Sequence, residues 1–236
     1  TAAAHWIRDE CDAEDEESHA FHDAVICGMG WVETWIDYDS DPEGKVTIER
    51  FPHSEAFWDP TATKSNLHDT RWRARVKRIP EQDLKDLWPD KYEASAAVVR
   101  SDTLESILEE GKTRSEEAIK FRNYVPIVHM QWWERRPFVR ITPPAQPGQQ
   151  PQPPQVIPAE QWEQAIAAQP ELAVMVQAQP IRQKKFFEAF IAGSILLERG
   201  PLHGHATSDF TFQVITGKLD ERSRTWLGLM SQMKDP

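Results

Sequence analysis

Cysteine is nearly absent from this chain of 236 residues: Cys11 and Cys27 are the whole complement. They form neither a Cys-x-x-Cys pair nor a disulfide framework, so a reducing compartment is expected, with both thiols small and buried. Basic residues are also scarce, 27 Lys and Arg against 38 Asp and Glu, for a formal charge of -11. That balance excludes a tight, sequence-independent grip on nucleic acid, which works by neutralising phosphates and releasing counterions. Long apolar runs are missing too. Stretches such as Ile195-Leu196-Leu197 fall far short of the roughly 18–20 residues of a bilayer-spanning helix, and no membrane partner is expected. What is present is 39% hydrophobic, 10% aromatic and 28% charged residues, the composition of a polar-surfaced globular protein. The chain opens on Thr and closes on Lys234 and the dipeptide Asp235-Pro236, which often begins a helix, so it is read as an excerpt of a longer polypeptide.

Along the chain, seven acids between Asp9 and Glu17 lead into Phe21, Ala24 and Val25 at helical spacing, stopped by Gly28 and Gly30. Trp31 to Tyr38 and Val46 to Ile48, joined by turn residues 39–44, read as a β-hairpin. In residues 71–79, Arg71, Arg73, Arg75 and Lys77 alternate with Trp72, Ala74 and Val76, which predicts a strand with a basic outer face and an apolar inner one. Pro80 and the stripe Leu84, Leu87, Trp88 predict a short helix, ended by Pro89. A second helical stretch runs from about Asp102 to Arg122, and Val125 to Ile141 reads as an aromatic strand. Residues 143–158 hold seven prolines and five glutamines, an exposed loop of extended character that divides the chain. Beyond it come a short helix at 160–168 and two hairpins, Phe186–Leu197 turning near Gly193 and Phe210–Met230 turning near Asp220. The fold class is therefore α+β, mixed helices and antiparallel hairpins, organised as an α+β region over 1–125 and a β-rich region over 126–236.

Local catalytic and ligand motifs fail on spacing. Gly111-Lys112-Thr113 has Ser106 where a phosphate loop needs glycine, and Gly28/Gly30 has Glu33 at the third dinucleotide position. Asp37, Asp39 and Asp41 start like a calcium loop, but Pro42 and Ile48 occupy its obligatory Gly and Glu positions. His19 and His22 with the cysteines, or His203 with His205, lack closed zinc spacing. The Asp9–Glu17 run has two readings, a metal-dependent nuclease centre tested by Asp12→Ala and Asp15→Ala, or a solvated helix face, which dense acids more often make. A peptide-binding adaptor that docks partners through the Pro/Gln tract is a further alternative. Of the ten tryptophans, Trp31, Trp35, Trp58, Trp72, Trp132, Trp133 and Trp226 fall in strands or their loops, where they serve a core or subunit contacts.

The order of several separate strings carries more information than any motif. They are Cys27-Gly28-Met29-Gly30-Trp31-Val32-Glu33, Ile48-Glu49-Arg50-Phe51, Phe57-Trp58-Asp59-Pro60-Thr61-Ala62, Arg73-Ala74-Arg75-Val76-Lys77-Arg78 and Gln131-Trp132-Trp133-Glu134-Arg135. Phe190-Ile191-Ala192-Gly193, Phe212–Lys218, Trp226-Leu227-Gly228-Leu229 and Met233–Pro236 complete the set. In this order they resemble the portal proteins of tailed bacteriophages, of the short-tailed, podovirus-like kind, over nearly the whole chain. The Pro/Gln tract is long for that family, and Phe138-Val139-Arg140 enters it without an evident partner strand.

The resemblance implies a non-enzymatic protomer without cofactor or metal, one of a ring of typically twelve identical subunits at a capsid vertex. Such a ring conducts double-stranded DNA in packaging and ejection, and its partners are the terminase, the tail or head-completion adaptor, and capsid and scaffolding proteins. It also implies a wing-like role for 1–125, stem- or clip-proximal strands within 126–236, and chain continuing on both sides. A net acidic chain suits a DNA conduit, since neutralising about 6–10 phosphates makes adhesion strong. The expected subunit-interface residues are Trp132, Trp133, Phe186, Phe187, Phe212, Arg71, Arg73 and Arg75. For the basic face, pairing with the acidic helix of a neighbour or of the same chain is favoured over DNA contact, because acids are plentiful.

Overall fold

The acid-rich opening folds as two helices, α1 (Ala2–Glu10) and α2 (Ala13–Cys27), with Asp12 between them in the left-handed region. α2 stops at Gly28, whose φ of 90° no Cβ-bearing residue adopts readily and whose N–H donates to the Ala24 carbonyl at 3.0 Å. Its buried face is Ala13, Ala20 and Ala24, whereas Phe21 stands 59% exposed. The reason is spacing. The helix lies so close to the next strand that a Cβ on Gly30 would sit 1.7 Å from the Ala20 carbonyl oxygen, and only alanines fit that seam. Cys11 is partly buried and Cys27 exposed, so neither expected buried thiol is found. α2 turns its alanines inward, which sends its last residues outward.

The computed structural model describes residues 2–38, 41–96, 124–142, 153–171, 176–202, 209–220, 222–223 and 225–230. The helix expected between Asp102 and Arg122 lies outside them, as do His203 and His205. The strands are β1 (Met29–Asp37), β2 (Lys45–Phe51), β3 (Ala56–Trp58), β4 (Trp72–Pro80), β5 (Tyr124–Thr142), β6 (Gln155–Pro158), β7 (Gln177–Ala192), β8 (Ile195–Pro201), β9 (Phe212–Thr216), β10 (Lys218–Asp220) and β11 (Thr225–Leu227). Helices α3 (Glu81–Leu87) and α4 (Ala159–Ala168) also lie among the described residues. The class is α+β with antiparallel pairing, as the alternation patterns predict.

Two compact units divide the chain: Thr1–Trp132 with Phe186–Pro236, and Trp133–Lys185. The division falls inside β5 and β7.

In the first unit, β2, β1 and β9 form one sheet, with Trp31 opposite Phe51 on one side of β1 and Met29 opposite Thr216 on the other. β9 is thus claimed by a strand nearly two hundred residues earlier, and the expected Phe210–Met230 hairpin shrinks to β10 and β11. A second sheet runs β3-β4-β5-β7-β8, and Gly193 makes the β7–β8 turn where it was expected. The larger core packs Met29, Trp31, Phe51, Leu67, Phe212 and Trp226 together, with Phe51 and Phe212 edge to face at 5.7 Å. A smaller core gathers Leu84, Val125, Ile127, Ala192 and Leu197 under α3.

In the second unit, β6 pairs with the far half of β5: Phe138 lies opposite Pro158, Val139 opposite Ile157 and Arg140 opposite Val156. The partner strand that Phe138-Val139-Arg140 lacked in the sequence is the end of the Pro/Gln tract itself. Val156 and Ile157 are its only β-branched residues, and Pro158 closes the strand at a position where a missing N–H is tolerated. Trp133 here faces the Lys184 ammonium at 4.1 Å, and Lys185 covers Phe138 at 5.0 Å.

Candidate functional site

Strand β4 is buried on both faces at its centre. Arg73 and Arg75 on the basic face, predicted to face outward, are 1% and 6% exposed, and Ala74 on the other is 6% exposed. Trp72 and Val76 beside Ala74 are half-buried, and Arg71 and Lys77 are exposed. A charged residue enters a core only where its donors are met. Arg73 donates to the carbonyls of Phe212, Leu67 (2.9 Å) and Asn66 (3.3 Å), and its plane lies 4.7 Å over the Phe210 ring. Among the described residues no carboxylate forms an ion pair with it. Burial pushes its guanidinium down to about 10 against the attraction of Asp209, which still leaves it charged near neutrality. It fastens the loop before β4 to β9.

Arg75 is met by acids instead. It donates to Glu33 at 2.6 Å from β1 and to Glu55 at 3.1 Å, with Glu49 of β2 at 3.9 Å. Its partners are strand and loop acids of the same chain, not the acidic helix. The same Glu33 approaches His129 Nδ1 at 3.6 Å, and His129 Nε2 lies 3.0 Å from Glu188 of β7. Burial pushes the Glu33 carboxyl up, but the hydrogen bond and charge of His129, with the Arg75 guanidinium, outweigh it and hold the group below its ordinary range. Burial pushes His129 down, and the two carboxylates more than reverse that, so the imidazole is held above its usual value. Its ring also stacks on Phe190 at 4.3 Å. One step along, Gln131 donates to the Thr211 hydroxyl at 2.5 Å and accepts from the Thr211 N–H at 3.0 Å. These contacts bolt the β2-β1-β9 sheet to the second sheet through four strands.

A cavity of about 540 Å³ opens beside the bolt, lined by apolar groups such as Trp35, Trp88 and Phe190 and by the charged or polar Glu33, Glu49, Arg75, Lys77, His129 and Glu188. Among the described residues no group of three His, Cys, Asp or Glu side chains is arranged to hold a metal ion.

The other expected interface residues scatter. Phe186 is 4% exposed, edge to face with Phe210 at 5.0 Å, and Phe212 is fully buried, so both serve this chain's own core together with Arg73 and Arg75. Arg71 is exposed, and its N–H donates to Asp59. Trp132 and Phe187 stack at 5.9 Å on the half-buried outer face of the second sheet, with Arg199 over the Trp132 ring at 5.2 Å. Trp133 belongs to the other unit. Sequence reading missed Glu33, His129, Gln131 and Glu188. Their signal was a lone polar residue within an apolar strand, as in Val125–Met130 and Phe186–Phe190.

Four of the family-like strings acquire a physical reason. Asp59 is buried and accepts from the Thr61 N–H (2.9 Å), the Thr61 hydroxyl (2.7 Å) and the Arg71 N–H (3.2 Å), which makes Trp58–Ala62 a closed turn. Gly28 meets Gly217, whose N–H donates to its carbonyl at 2.8 Å, and a Cβ on Gly228 would sit 2.4 Å from Val25 O. The strings mark places where distant backbones touch.

Arg73 and Arg75 are held by contacts within this chain, and Glu33, His129 and Glu188 pair beside the cavity. A family model, Phage P22-like portal protein, matches residues 1–236. The chain belongs to that family, which is structural rather than catalytic. No curated protein matches it. Among the described residues no helix is long and apolar enough to cross a membrane.

Proposed function

We propose that this chain is a protomer of a portal ring, typically of twelve copies, at one vertex of a phage capsid. The ring conducts double-stranded DNA during packaging and ejection and docks the terminase and the tail adaptor. The observation that carries this reading is the family match over residues 1–236. The acidity of the chain supports it: Arg73 and Arg75 are consumed by packing inside a chain of net charge -11, which leaves Arg71, Lys77 and Arg78 as the exposed cations of the basic strand. Subunit contact falls to the outer face of the second sheet, where Trp72, Val128, Met130, Trp132 and Phe187 are half-buried, since aromatic and Met side chains are enriched at interfaces. Residues 1–125 take the wing-like position, and 126–236 include strands nearer the stem or clip. The protein acts without catalysis, cofactor or membrane, and assembles in the host cytoplasm with scaffolding and capsid proteins.

The test is to express the uninterrupted reading frame carrying this chain and count subunits in negative-stain images. A closed ring near twelve-fold with a central channel is expected. A folded monomer or dimer at high concentration overturns the reading.

A further inference from the structure

We infer that the strand cations of the second unit dock on the unpaired carboxylates of α1 and α2 of a neighbouring copy, a head-to-tail contact between identical chains. The inference rests on the ring reading above and says which surfaces meet.

The two units differ in sign. Residues 133–185 carry six Lys and Arg against four Asp and Glu, whereas the remainder carries 21 against 34. The six are Arg135, Arg136 and Arg140 of β5 and Arg182, Lys184 and Lys185 of β7, and all but Lys185 are exposed. These strand segments hold one acid, Glu134, and it pairs with Arg136 at 2.6 Å. The unit's other acids, Glu160, Glu163 and Glu171, belong to α4 and the residues after it.

Both faces of the strands are basic. Lys184 lies 4.1 Å and Arg135 5.9 Å from the centre of the Trp133 ring, which sets them on one face, and alternation places Arg182 with Lys184. Lys185 covers Phe138 on the other face, where alternation places Arg136 and Arg140. Aromatic rings hold some of these cations in place. Among the described residues, however, no carboxylate pairs with Arg135, Arg140, Arg182, Lys184 or Lys185.

The opposite surplus sits in the two opening helices. Residues 1–27 hold eight acids and a single Lys or Arg, Arg8. Glu10, Glu16, Glu17 and Asp23 already meet Lys45, the Arg50 N–H, Arg8 and the Arg50 guanidinium. Asp9, Asp12, Glu14 and Asp15 are exposed and form no ion pair among the described residues.

One chain thus carries two unlike surfaces of opposite charge on separate units. A contact between unlike surfaces is heterologous, and it closes into a ring when the rotation permits. Charge also favours this partner over duplex DNA, which carries one charge about every 1.7 Å along its whole length and repels the acidic remainder of the chain. The acidic patch of a neighbour is local. Exposed pairs are individually weak and screened by salt, so the contact sets register and direction more than strength.

The experiment uses the uninterrupted reading frame carrying this chain, assembled from a mixture of light copies and copies labelled with heavy isotopes. A carbodiimide joins a Lys amine to a carboxylate in contact as an amide, with loss of water, and the linked peptides are identified by mass spectrometry. Expected are amides from Lys184 or Lys185 to Asp9, Asp12, Glu14 or Asp15 that join a light peptide to a heavy one. Arg135→Glu with Arg182→Glu should abolish that link, and adding Asp9→Lys with Asp15→Lys should bring light-to-heavy linking back between the exchanged charges. All four side chains are exposed, so the fold persists, as circular dichroism checks. Links confined to one copy, light-to-heavy links between other residues only, or links that ignore the exchange overturn the contact and leave the ring reading standing. Rings that retain duplex DNA through Arg135 and Arg182 and show no such link overturn it in favour of nucleic acid. A folded protein that forms no ring overturns both readings.

Discussion

The two faces of the second sheet differ in what they bury. Its inner face buries Arg73, Arg75, Gln131 and Glu188 among Val125, Ile127 and Phe186, while its outer face carries Trp72, Val128, Met130, Trp132 and Phe187 half-buried. The difference teaches that the inner polar residues set how two sheets register, because each has one set of partners it can reach, whereas apolar side chains pack in many ways. The outer aromatics remain at the surface, where assembly can use them.

The strongest way to break this comparison is Arg75→Met. It strands the buried Glu33 without its guanidinium, and removing one partner of a buried pair typically costs about 3–5 kcal/mol. Urea unfolding should show a loss of that size. Combining it with Glu33→Gln should recover much of the loss, since replacing both members of a buried pair is far milder than orphaning one. If the single change is silent, the inner charges do not hold the sheets.

A smaller effect is expected outside. A double-mutant cycle of Trp132→Ala and Phe187→Ala on the unassembled chain should give a coupling of about 0.5–1.5 kcal/mol, the worth of one aromatic pair. A larger fall in ring yield than in stability would sharpen the contrast between faces. Equal falls would erase it.

The mildest test is pH. His129 is held above its ordinary value of 6.5, so its contribution is complete below that value and is lost as pH rises through its folded value. Glu33 is held below its ordinary value of 4.5, so its contribution is present above 4.5 and lost as pH falls through its lower folded value. Stability should therefore peak between about 4.5 and 6.5 as these two groups act. His129→Gln should flatten the alkaline limb of the urea midpoint. An unchanged limb would mean that His129 is not the group responsible.

Much of the chain was legible locally. The stop at Gly28, the hairpin around residues 39–44, the strand through Arg73, the helix at 159–168 and the turn at Gly193 all follow from period, caps and turn residues. The candidate site was not. Alternation told that the two faces of residues 72–80 differ, and the charged face was assigned to solvent because most charged faces are. Only partners from β1, β5, β7 and β9 could reverse that, and they lie up to about 140 residues away, as Arg73 and Phe212 do.

By itself, then, the order of residues determined where several helices and strands lie, that the chain is acidic, and that its strings follow a portal-like order, because caps, periodicity and composition act over a few residues. Tertiary structure alone decided that the basic face of β4 is also inside, that β9 joins β1, and that Val156 and Ile157 complete β5. Those choices depend on whether a distant backbone or carboxylate arrives to satisfy a buried donor, and no local pattern records that.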